Sequence, residues 1–74
     1  MNEYHINLFF SKEDHAWVAD IPDFEMCSGF GDTPQEALAE VLIAKQAIIE
    51  TMQKDGLPLP EAKYRPEIYR IKAA

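Results

Sequence analysis

The sequence predicts a single α+β domain over residues 1–74: a three-stranded antiparallel meander, one long helix, and a fourth strand parallel to the third. Three observations predict it. Short segments alternating with a period of two fill the first thirty residues, a Thr-Pro signal then opens a run of three- and four-residue apolar spacings, and a short apolar segment closes the chain after a pair of prolines.

Tyr4, Ile6, Leu8 and Phe10 alternate with His5, Asn7 and Phe9, which predicts a first strand from about Glu3 to Phe10. Ser11-Lys12-Glu13-Asp14-His15 is a polar turn, and Ala16-Trp17-Val18-Ala19-Asp20-Ile21 resumes strand character, so the two segments form a hairpin. Pro22 has no N–H to give a ladder and ends the second strand. After the Pro22-Asp23-Phe24-Glu25 bend, Met26 to Phe30 is a short, Gly-interrupted third strand.

Thr33 can cap a helix, Pro34 suits its first position, and Glu36 can complete a capping box. Leu38, Val41, Leu42, Ile48, Ile49 and Met52 fall on one stripe, while Glu36, Glu40, Glu50 and Lys54 point largely elsewhere. Gly56 terminates the helix after roughly 22 residues, about 33 Å. Leu57-Pro58-Leu59-Pro60 is extended, and Ile68-Tyr69-Arg70-Ile71 is the fourth strand. A helical connection between parallel strands crosses over right-handedly and covers one sheet face. Tyr4, Phe9, Trp17, Phe30 and Tyr69 are more large side chains than one helix covers, so Phe9, Trp17, Phe30 and Tyr69 are expected on a second face that packs on another copy, as a dimer or tetramer.

Charge narrows the function. Thirteen acidic and seven basic residues give a net charge of −6, which repels phosphate backbones and anionic membranes. Residues 1–55 hold eleven acids and three bases, net −8; residues 56–74 hold two acids and four bases, net +2, too few and too mixed with Glu61 and Glu67 for a nucleic-acid patch. No basic, then apolar, leader pattern opens the sequence, and no stretch approaches the roughly 20 apolar residues of a membrane span, so the expected location is the cytoplasm. One cysteine, Cys27, permits no internal disulfide. A chain of this size without a disulfide or metal gains stability from association.

No enzyme class emerges. Asp20, Asp23 and Asp32 invite a metal-dependent nuclease reading. The stronger alternative places Asp23 in a turn, Asp32 before a helix N-terminus and Asp20 on a solvent face. His5 and His15 lack a second ligand at a diagnostic spacing, Cys27 has no adjacent base, and Ser28-Gly29 lacks the nucleophile-elbow pattern. No catalytic residue, metal or cofactor is therefore expected. The acidic run Asp20, Asp23, Glu25, Asp32, Glu36 and Glu40, with Phe24 as an apolar anchor, is the expected partner surface; a solvated face that maintains solubility is the alternative.

Three blocks in order, Ala19-Asp20-Ile21-Pro22-Asp23-Phe24, Gly29-Phe30-Gly31-Asp32-Thr33-Pro34-Gln35-Glu36-Ala37 and Asp55-Gly56-Leu57-Pro58-Leu59-Pro60, resemble the HicB-like antitoxins of prokaryotic toxin-antitoxin systems. The resemblance spans nearly the whole chain and implies a truncated ribonuclease-H-like fold. It also implies a partner, a small basic HicA-like toxin that cleaves messenger RNA and is blocked when the antitoxin covers it. Many such antitoxins add a C-terminal ribbon-helix-helix or helix-turn-helix domain; these 74 residues contain no counterpart, so no direct nucleic-acid binding is expected of them. The remaining alternative is a solitary homo-oligomeric module that binds another protein or a small ligand.

Overall fold

In a computed structural model, which describes residues 3–66, the hairpin forms from β1 (Asn7–Ser11) and β2 (Ala16–Asp20). They pair antiparallel, from Asn7 opposite Asp20 to Ser11 opposite Ala16. Within the turn, the Ser11 hydroxyl donates to the Asp14 carboxylate at 3.0 Å and accepts from the Asp14 N–H at 3.3 Å. His15 completes it at φ +50°, a left-handed conformation that histidine tolerates better than most residues with a Cβ.

β1 starts four residues later than the alternation predicts. Two more steps of the same register would set His5 opposite Pro22, which has no N–H, and the N–H of Ile21 is already given to the Cys27 carbonyl at 3.0 Å. The ladder stops there for want of donors. Tyr4 and Ile6 instead pack half-buried against the core.

β3 (Ser28–Gly31) pairs antiparallel with β2, giving the sheet order β1-β2-β3. It begins two residues later than expected, and the Ile21 N–H to Cys27 carbonyl bond is one further step of the same register. α1 (Pro34–Lys54) follows and lies almost directly on the β3 backbone. A Cβ on Gly29 would meet the Val41 nitrogen at 2.3 Å, and one on Gly31 would meet the Glu36 Cβ at 2.5 Å. The glycines are what let the helix approach so closely.

Both helix ends are closed by local chemistry. Thr33 Oγ1 accepts from the Glu36 N–H at 3.1 Å, and the Thr33 hydroxyl donates to the Glu36 carboxylate. At the other end Gly56 takes φ +70°, its N–H reaches the Gln53 carbonyl at 3.2 Å, and the Leu57 N–H reaches the Met52 carbonyl at 2.8 Å. These two bonds are those of a Schellman termination.

The core is Ala19, Ile21, Phe24, Cys27, Ala37 and Val41. Leu38, Ile48, Ile49 and Met52 pack against it as the apolar spacing predicts. Leu42 does not: it is 40% exposed, one position and about 100° round the helix from the fully buried Val41. Ala37 and Val41, both fully buried, set their backbone against Gly29, and Ala44 packs half-buried beside the core. The expected strand at Ile68–Ile71 and the residue Tyr69 lie outside the described residues.

Candidate protein-binding surfaces

Strand register decides which side chains share a face. Gly29 and Gly31 face the helix, so their cross-strand partners Ala19 and Trp17, and in turn Leu8 and Phe10, face it too. Trp17 therefore belongs to the covered face. It packs half-buried against the core, with the Phe10 ring edge-on at 5.7 Å. This corrects its expected place beside Phe9 and Phe30.

Phe9, Val18 and Phe30 form one row across the opposite face. Phe9 is 48% and Phe30 53% exposed, and Val18 between them is buried. Asn7, Asp20 and Ser28 make the polar row beside it. Among the described residues no element covers this face.

The acidic residues do not form one surface. Asp20 pairs with Ser28 at one end of the sheet, whereas Gly31, next to Asp32, pairs with Trp17 at the other, about 10 Å away along β3. Asp23 and Glu25 stand with Asp20 at the β2–β3 loop; Asp32 and Glu36 lie at the helix N-terminus, and Glu40 sits above Gly29 between the two ends. The same separation keeps Asp20 and Asp32 from sharing a metal ion. Among the described residues no group of three or more His, Cys, Asp or Glu side chains is placed to hold one.

Phe24, expected as an apolar anchor for a partner, is buried within this chain. Its ring meets Tyr4 edge-on at 4.7 Å, and the Tyr4 hydroxyl donates to the Pro60 carbonyl at 2.7 Å. Burial, with a smaller contribution from the Asp23 carboxylate, pushes the Tyr4 phenol above its ordinary value. The segment after the helix thus returns across the first described residues. The Tyr64 ring lies 5.0 Å from that of His5, tilted by 45°; the His5 ring is also 2.6 Å from Asn7 Oδ1, and the Tyr64 N–H donates to the Asp23 carboxylate at 3.1 Å.

An open groove of about 520 Å³ lies between the β2–β3 loop, the last turns of α1 and this return segment. Phe24, Met26, Ile48, Met52 and Leu57 make its apolar lining, and Asp23 and Glu25 are its charged members. Met26 was expected in the third strand; it is a loop residue and 88% exposed. The sequence signal that could have placed it is the turn chemistry of Pro22-Asp23, which extends as far as Cys27. Ile43, 64% exposed on the helix, was equally outside the expected sites.

Cys27 is buried beneath the helix, its thiol 3.8 Å from the Val41 carbonyl. Burial pushes the thiol above its ordinary value; the Lys45 ammonium opposes that shift and Asp20 adds to it. Every buried side-chain nitrogen and oxygen among the described residues has a hydrogen-bond partner. No helix among them is long and apolar enough to cross a membrane. Comparison with known proteins finds no matching family model, no matching curated protein and no matching solved structure.

Proposed function

We propose that this chain is a non-catalytic cytoplasmic binding protein of the HicB-like antitoxin type, which neutralises a small basic HicA-like toxin by covering the surface that engages messenger RNA. The observation that carries the reading is an acidic chain, net −6, that nevertheless exposes large apolar side chains, Met26, Phe9, Phe30 and Ile43. Negative charge repels RNA and attracts a basic protein, while exposed apolar groups supply the buried contacts that hold it. The three sequence blocks that carry the resemblance support the same reading. In this structure they fall at the turn after β2, the β3-to-helix junction and the helix termination. A fourth strand over residues 68–71, parallel to the third, would complete the truncated ribonuclease-H-like layout.

The test is an RNA-cleavage assay with a small basic HicA-like protein encoded beside this chain. Cleavage should stop at one equivalent of the chain, and the association rate should fall as salt rises from 50 to 500 mM, over which charge attraction is screened to within about 4 Å. Continued cleavage under a tenfold excess would overturn the reading. A second reading, a solitary homo-oligomeric module, is favoured by the row of Phe9 and Phe30 on the uncovered sheet face.

A further inference from the structure

We infer that the groove beside the helix C-terminus is the docking site for an apolar side chain borne on a basic polypeptide segment. The inference rests on the protein-binding reading above and adds the place and chemistry of contact. The volume, about 520 Å³, is in the range of pockets that enclose a ligand group. Its floor is Phe24, fixed by Tyr4, and two of its walls are the flexible thioethers Met26 and Met52, which re-pack around different apolar shapes.

Charge selects the sign of the occupant. Among the described residues Asp23 and Glu25 are the charged groups of the groove, and no Lys, Arg or His lines it. The Asp23 carboxylate is also held in place by the Tyr64 N–H, so the negative rim is partly fixed before a partner arrives. A small polar ligand has little to recognise there. Apart from Asp23 and Glu25 the side chains that line it are apolar, which leaves apolar burial and a negative rim as the means of recognition. A leucine or phenylalanine flanked by lysine or arginine satisfies both.

The experiment uses the full chain uniformly labelled with carbon-13 and nitrogen-15, titrated with a synthetic amphipathic peptide built of leucine and lysine only, with a leucine and glutamate peptide as counterpart. The Met26 and Met52 signals should move with the basic peptide and not with the acidic one. Met26→Lys, at a side chain too exposed to matter for folding, should weaken binding about tenfold. Phe30→Ser, on the opposite sheet face, should leave it unchanged.

Four results would overturn the assignment: equal binding of the acidic peptide, changes confined to Phe9 and Phe30, methionine shifts that follow protein concentration without peptide, and nuclear Overhauser contacts from Ile68 or Ile71 methyls to Met26. The third would make a second copy the occupant, and the fourth the chain's own end. Since the readout requires no toxin, the groove stands or falls separately from the antitoxin reading. Toxin neutralisation that survives Met26→Lys would refute the groove alone.

Discussion

Cys27 and Tyr4 both gain pKa on folding, from ordinary values of 9.0 and 10.0, and burial is the larger cause in each. The folded state therefore holds these protons more tightly than the unfolded state does. Their contribution to stability is complete below about pH 9 and is lost as pH rises through the raised folded values. The thiol acts first and the phenol about one unit later, each changing stability by at most about 1.4 kcal/mol per pH unit. Thermal midpoints measured from pH 7 to 10.5 should be level and then decline. Cys27→Ala should remove the earlier part of that decline; an unchanged slope between pH 8.5 and 9.5 would show that the thiol is not responsible.

Among the elements, the contact of α1 with β3 depends on the absence of two Cβ atoms. A methyl on Gly29 would sit 2.3 Å from the Val41 nitrogen and 2.6 Å from the Ala37 carbonyl oxygen, backbone atoms that move only if the helix moves. Gly29→Ala should therefore cost about 3 kcal/mol, lowering the melting temperature by about 12–24 °C. Gly56→Ala meets nothing within 4 Å and incurs only the left-handed backbone penalty, about 1 kcal/mol. Equal losses for the two variants in thermal denaturation would rule out helix-on-glycine packing as the cause.

The ends of α1 were legible because Thr33-Pro34 and Asp55-Gly56 act locally. The reason for Gly29 and Gly31 was not, since it exists only once the helix is laid across them. Facing was equally hidden. Leu8, Phe9 and Phe10 are all apolar, as are Trp17 and Val18, so alternation carried no contrast to say which member faced the helix. Phe24 reads as a turn residue and is buried by Tyr4, a partner twenty residues away. The acidic run looked continuous because sequence order hides the length of a strand.

At the scale of the whole molecule, a one-layer sheet with a helix on one side leaves the row of Phe9, Val18 and Phe30 uncovered among the described residues. If two copies bury it face to face, replacing Phe9 and Phe30 together by serine should weaken self-association at least tenfold without lowering the melting temperature of the monomer, since both rings are already half exposed. Sedimentation at micromolar concentration is the measurement. A wild-type chain that sediments as a monomer would remove the oligomeric module from consideration and leave the groove as the principal interaction surface.

The return segment has one more consequence. Tyr4 and Pro60 are joined by a hydrogen bond, and His5 lies against Tyr64, so polypeptide entering at residue 3 and leaving near residue 66 does so at neighbouring points. A unit whose entry and exit coincide can be spliced into a surface loop of another protein without stretching its host. Tyr4, whose ring also covers Phe24, thus brings the two ends of the described residues to one place, as a portable insert requires.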